Sequence, residues 1–325
     1  MLRHEAEDHL TSRADPAFRA DVLNGLAARP RAIPARWFYD RRGSELFEEI
    51  TRLPEYYPTR TERALLRDAG PAIARAVGPG RAVVEFGAGS AAKTPLLLGA
   101  VAPSAYVPID ISADFLRDSA AALQQAFPDL PVLPVAGDFL KPLALPRTIA
   151  DAAKLGFFPG STIGNMDPSA AVDLLRAMRE SLGEGAMLLI GIDRVKPVDV
   201  LIPAYDDAQG VTAAFNLNLL ERINRELGGD IPVDAFRHRA IWNDAAARIE
   251  MHLEATRDMA FTIEGRPFAI AAGESVHTEN SHKYGPRDAR LLLRAGGWTP
   301  TAEWTDAHDW FALILAEALP MAVAP

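Results

Sequence analysis

Between Arg81 and Val195 the chain repeats one pattern: a short apolar run, a turn, then a segment with helical apolar spacing. "RAVVEFGAG" reads as a first strand and "TPLLLGAVA" as the helix after it. "AYVPIDIS" is a second strand, followed by the helical "ADFLRDSAAALQQAF". "PVLPVAGDF" is a third, "KLGFFPGSTIGN" carries a fourth, "SAAVDLLRAMRESLG" is helical, and "AMLLIGIDRV" is a fifth. Such runs have no wet face, so they predict βαβ units around a parallel sheet covered on both sides. The rhythm breaks at about Lys196. From there to Gly285 come a helix, "VTAAFNLNLLERINRELG", and long alternating strands, "ARIEMHLEATRDMAFTI" and "PFAIAAGESVHTENSHKY". A last helix, "PRDARLLLRAG", precedes two strands, "GWTPTAEWT" and "DWFALILAEA", which suit the far edge of the same sheet. The first 60 residues fit no βαβ unit. The expected fold class is α/β: a Rossmann-like seven-stranded sheet over 61–195 and 286–325. A second, smaller α+β substrate-binding domain is expected from the N-terminal segment 10–60 and the late insertion 196–285.

Composition narrows the function. A net charge of −9 and a pI of about 5.3 argue against a nucleic-acid partner, whose phosphates reward basic surfaces. The absence of cysteine removes disulfides, thiolate nucleophiles and Cys-ligated zinc together. His277 and His282 are five apart and face opposite sides of a strand, so no metal is expected. The start, "MLRHEAEDHLTSRADP", is charged and lacks the apolar core of a secretory signal, and runs such as "AMLLIGI" are too short to span a bilayer. A cytoplasmic globular monomer with a small-molecule substrate and no membrane partner is the expectation.

The turn "FGAGSAAKT" invites a ligand to approach the backbone. A P-loop needs glycine directly before the lysine, and Ala92 stands there. A dinucleotide fingerprint tolerates that alanine, so an NAD-dependent oxidoreductase stays open. Asp110, 23 residues past Gly87, is placed to bond ribose hydroxyls. In "GDF", Asp138 can accept from an adenine amino group while Phe139 covers the ring. Glu85, Asp110 and Asp138 together make an acidic edge that repels a pyrophosphate but suits a sulfonium. With the terminal hairpin, these features favour a class I methyltransferase that uses S-adenosylmethionine.

The acceptor end is read from other segments. After the fourth strand "GSTIGNMDP" offers Asn165, without the double proline of many amino-methyltransferases. In "HTENSHKY", Glu279 and Ser281 at i and i+2 share one face of a strand. A carboxylate accepting from one N–H and a hydroxyl at the other nitrogen could hold a ring with two nitrogens.

Taken together, "YDRRGSELFEEITRLPEYYPTRTE", "GAGSAAKT", "PIDIS", "GDF", "GSTIGNM", "FNLNLLERINRELGG" and "HTENSHKY" resemble the histidine Nα-methyltransferases of ergothioneine biosynthesis, in consistent order from about residue 37 onward. The resemblance implies a methyltransferase domain plus a substrate domain, and trimethylation of the α-amino group of L-histidine to hercynine. It implies that Gly87, Lys93, Asp110, Asp138 and Phe139 contact S-adenosylmethionine. Tyr56, Asn165 and Tyr205 would meet the substrate's amino and carboxylate ends, with Tyr39 near the amine. Glu279 and Ser281 would grip the imidazole, with Met251 and Phe215 lining the same pocket. Asn280 departs from the smaller or apolar residue expected between that pair, and should point away. No dedicated base is implied: Tyr56 and Asn165 orient the amine, water takes the proton, and tyrosine faces tolerate the growing quaternary ammonium. Two other readings remain, the same scaffold acting on another amino acid such as tryptophan, and a non-catalytic adenosyl-binding module.

Overall fold

Val83, Val84, Phe86, Val107, Ile109, Leu155 and Phe157 leave neither side of their strands for water, so their sheet must be covered on both faces. The structure, a computed structural model, describes residues 15–89, 93–111 and 113–318. Seven strands run in the order Trp298–Thr305, Phe311–Ala318, Met187–Asp193, Lys154–Phe158, Ala82–Phe86, Ala105–Asp110 and Val135–Ala136. The last five pair in parallel, and Phe311–Ala318 is antiparallel to both its neighbours. The expected seven-stranded sheet is present, with the terminal hairpin on its edge.

Alternate residues divide between two apolar layers. Val84, Phe86, Ile190 and Ile314 share one with Leu174, Met178 and Leu292, from the helices Pro168–Leu182 and Pro286–Ala295. Val83, Phe157, Leu189 and Leu313 share the other with Leu66, Ile73, Leu97 and Leu98, from Tyr57–Val77 and Thr94–Val101. Each such side chain removed from water contributes roughly 1.5–3 kcal/mol. The third predicted strand shrinks to Val135–Ala136, paired with Ile109 and Asp110. It lies at the sheet edge, and Pro131 and Pro134 have no N–H to give the ladder.

The chain divides into two units. The larger, 53–204, 242–249 and 280–318, holds the seven-stranded sheet. The smaller, 15–52, 205–241 and 250–279, contains the helices Pro16–Ala27, Arg41–Ile50 and Val211–Leu227 and most of a sheet ordered Arg31–Ala32, Ser275–His282, Arg248–Ala255, Phe236–Asn243. The boundaries differ from those expected at 60, 195 and 285. Helix Tyr57–Val77 belongs whole to the cover of the large sheet, and Lys196 is anchored to Asp193. Arg194 and Tyr284 form a parallel bridge, which takes 280–285 into the larger unit. The two long predicted strands are each broken. Thr256, whose N–H donates to the Ala235 carbonyl (2.8 Å), turns the chain between Arg248–Ala255 and Met259–Ile263. Gly273 (φ +82°) does so between Arg266–Ile270 and Ser275–His282. Among the described residues no helix is long and apolar enough to cross a membrane.

Candidate active site

In the larger unit, three adjacent parallel strands end side by side and deliver Gly87, Asp110 and Asp138 to one edge of the sheet. Gly87 turns the chain at φ +71°, its N–H donating to the Ile109 carbonyl (2.9 Å). A Cβ there would be strained and would stand 3.4 Å from the Phe139 ring. Asp110 Oδ2 accepts from the Gly89 N–H at 3.1 Å, bracing the turn. Asp138 Oδ1 accepts from the Leu140 N–H at 3.0 Å. The Phe139 ring meets Phe158 and Phe86 edge-on, with centroids 6.0 and 6.5 Å apart. Gly87, Asp110, Asp138 and Phe139 are thus brought together as the sequence predicts, while Ala92 lies outside the described residues.

Glu85 does not join the open acidic edge expected of it. It is 2% exposed, and its Oε2 accepts from the Thr94 hydroxyl and the Tyr106 hydroxyl, each at 2.7 Å. Burial pushes its pKa up to about 7. A strand covered on both faces has no open side, so an acid within it can only point inward.

Lys93 is held by a partner that the sequence did not reveal. Its ammonium pairs with Glu62 of the helix Tyr57–Val77, a fully buried carboxylate that also accepts from the Gly160 N–H at 2.9–3.0 Å. A side chain on Gly191 would occupy the space of that carboxylate.

The acceptor residues are divided between the units. In the larger, Tyr56 precedes the first turn of Tyr57–Val77, and Asn165 ends the 3₁₀ turn Thr162–Asn165. That turn lies against the end of the strand Ser275–His282: a Cβ on Gly164 would come 2.7 Å from the His282 carbonyl oxygen. Ser281, 4% exposed, accepts from Lys283 Nζ at 2.8 Å. Lys283 also pairs with Asp193 Oδ2 (2.8 Å), which the Tyr57 hydroxyl bonds at 2.7 Å, while Lys196 donates to Asp193 Oδ1 (2.5 Å) and to the Tyr57 hydroxyl (2.7 Å). Burial disfavours ionisation of Asp193, but Lys283 and Lys196 outweigh it and hold the carboxyl below its ordinary range. Burial brings Lys196 down to about 8, with Asp193 opposing the shift. The Asn280 Oδ1 is buried without a hydrogen-bond partner.

In the smaller unit, Tyr39, Phe47 and Phe38 surround Phe215, with centroids 5.8, 6.1 and 4.6 Å from it. Tyr39 is 45% exposed, so one face stays available. Tyr205 is buried and its carbonyl accepts from His238 Nε2 (2.7 Å). Met251 is buried on the strand beside Ser275–His282, and Thr278 Oγ1 donates to the Met251 carbonyl at 3.0 Å. Glu279 is half-buried, and its carbonyl accepts from His277 Nε2 (2.9 Å). Among the described residues, Glu250, His252 and His277 offer ligand atoms within 4.8 Å of one another, a set able to hold a divalent cation. Sequence spacing missed it because Glu250 and His252 lie across the ladder from His277. His252 is bonded to Glu250 (3.1 Å), and burial keeps its imidazole below the ordinary pKa.

Comparison with known proteins completes the picture. The family model described as histidine-specific, S-adenosylmethionine-dependent methyltransferase matches residues 18–318. A histidine N-alpha-methyltransferase of Mycolicibacterium smegmatis is 42% identical over 93% of this chain and 95% of its own length. One of Mycobacterium tuberculosis is 41% identical over 97% and 99%. An ergothioneine biosynthesis protein 1 of Neurospora crassa is 28% identical, over 89% of this chain and 33% of its own. With the family pattern running through both units, the chain belongs to the histidine-specific, S-adenosylmethionine-dependent methyltransferases.

Proposed function

We propose that the chain transfers methyl groups from S-adenosylmethionine to the α-amino nitrogen of L-histidine, three in succession, giving hercynine for ergothioneine biosynthesis. The observation that carries this reading is the match to relatives named for that activity at 42% and 41% identity over nearly their full lengths. It favours histidine over tryptophan, and a transferase over an oxidoreductase or a non-catalytic module.

The residues at the strand ends suit an adenosyl ligand. Asp110 and Asp138 offer acceptors for ribose hydroxyls and an adenine amino group, and Phe139 offers an apolar ring beside Gly87. Lys93, already neutralised by Glu62, adds no net positive charge for a phosphate. Bound there, S-adenosylmethionine supplies a methyl group activated by its sulfonium. Tyr56, Asn165 and Tyr205 orient the amino and carboxylate ends of histidine. The nucleophile is a neutral amine, and an α-amino group in a peptide titrates near pH 8, so a modest bias toward the neutral form suffices and water takes the proton. Positioning supplies most of the rate, since effective molarities reach roughly 10^5 M or more. Tyr39 and Tyr56 present aromatic faces, which tolerate the growing positive charge where a carboxylate clamp would trap it. Glu279 and Ser281 hold the imidazole, beside Met251 and Phe215. A monomeric, cytoplasmic enzyme is the accompanying reading.

Incubating the protein with S-adenosylmethionine and each of the twenty amino acids, followed by mass spectrometry, tests it. Histidine is expected to gain three methyl groups and the others little. A preference for tryptophan, or no methylated histidine, would overturn it.

A further inference from the structure

The sequence "HTENSHKY" ends in a lysine to which the proposed reaction gives no role. Lys283 is 2% exposed, a costly place for an ammonium unless something fixes it there. The backbone delivers it: the Tyr284 N–H donates to the Asp193 carbonyl at 3.0 Å, laying this segment along the end of Met187–Asp193. Its Nζ then meets two oxygens, Asp193 Oδ2 and Ser281 Oγ, each at 2.8 Å. Asp193 is itself held by Lys196, by the Tyr57 hydroxyl and, through its backbone N–H, by Ser161 Oγ (2.9 Å).

We infer that Lys283 is a positioning residue that fixes the polarity of Ser281 and so makes the site a reader of neutral imidazole; this rests on the proposed role of Glu279 and Ser281. An ammonium has three hydrogens and no lone pair, whereas a hydroxyl has one hydrogen and two lone pairs. The Lys283 bond therefore takes a lone pair of Ser281, turns its O–H away from Lys283 and strengthens it as a donor. A carboxylate accepts only, so Glu279 and Ser281 form an ordered pair, one accepting and one donating. Neutral imidazole, with one N–H and one bare nitrogen, matches that order. An imidazolium brings a second N–H, and an indole has no bare nitrogen, so both meet the Ser281 donor without an acceptor. A site built for a substrate's hydrogen bonds rejects analogues lacking them more strongly than a shape-only pocket does. Asp193, Lys196 and Tyr57 form the base that keeps Lys283 in place.

The test is a double-mutant cycle with Ser281→Ala and Lys283→Met, reading KM and kcat for histidine and tryptophan and the Kd of S-adenosylmethionine. Lys283→Met should raise the histidine KM about 10-fold, the effect of one hydrogen bond, with kcat and cofactor affinity within about twofold. The histidine-to-tryptophan preference should narrow, and Lys283→Arg should restore most of it. In the Ser281→Ala background the Lys283 substitution should add less than a further factor of about two, because its effect runs through the hydroxyl. If the two effects multiply in full, Lys283 is merely structural and the inference fails while the imidazole assignment stands. If Ser281→Ala leaves the histidine KM unchanged, the assignment fails and the inference with it. Should Lys283→Met leave Asp193 too poorly compensated to fold, the same cycle is run with Asp193→Asn in every variant.

Discussion

Asp110 is the residue whose task was easiest to anticipate, since a carboxylate at the end of the strand after a glycine turn has few other uses. Its Oδ2 also braces the turn through Gly89, so the one side chain shapes the loop and faces the ligand. Asp110→Ala is expected to weaken S-adenosylmethionine binding by about 1.5–3 kcal/mol, the usual loss for a hydrogen bond to a charged group. Calorimetry on the purified protein measures it, and unchanged affinity would remove the ribose assignment. Other residues were illegible for a physical reason. Glu62, Asp193, Lys196 and Lys283 look like ordinary surface charges in a linear reading. Their burial follows from pairings that span 31 residues for Glu62 with Lys93 and 139 for Tyr57 with Lys196. Glu85 was misread as an edge acid because sequence gives the end of a strand but not the side to which an inward acid is tied.

Among elements, the apolar runs announced the five central strands and their helices because strands buried on both faces leave little ambiguity of period. The edge strand after Asp110 was overestimated, and the alternating strands of the insertion were run together where Thr256 and Gly273 break them. The 3₁₀ turn Thr162–Asn165 could not be foreseen, and it sets where Asn165 stands. Its fit depends on Gly164, whose missing side chain lets the turn approach the His282 carbonyl. Gly164→Ala places a methyl group 2.7 Å from that oxygen, so one backbone segment must shift. The expected cost is about 1–3 kcal/mol, as for overpacking elsewhere. A lower Tm and a raised histidine KM, with the cofactor Kd unchanged, are the measurements; a neutral variant would show that the turn has slack.

For the whole molecule, the central sheet carries its own pH dependence. Glu85 lies in the middle of that sheet with a folded pKa near 7 against an ordinary 4.5. The folded state therefore binds more protons than the unfolded chain between those values. The stabilisation is complete below about pH 4.3 and is lost as pH rises through 7. Glu85→Gln, which cannot ionise, should flatten the fall in Tm between pH 5 and 8 seen by differential scanning calorimetry, and an unchanged slope would show that Glu85 is ionised in the native protein. The Glu62–Lys93 pair reaches beyond stability. A lysine at the mouth of a glycine turn would ordinarily recruit phosphates, and most adenosines in a living cell carry them. Bound to a carboxylate that water cannot reach, Lys93 offers ATP, ADP and NAD no net charge to seek, while Asp110 and Asp138 repel their phosphates. An abundant crowd of adenine nucleotides is thereby kept from competing with a scarce sulfonium relative, without any side chain recognising them one by one.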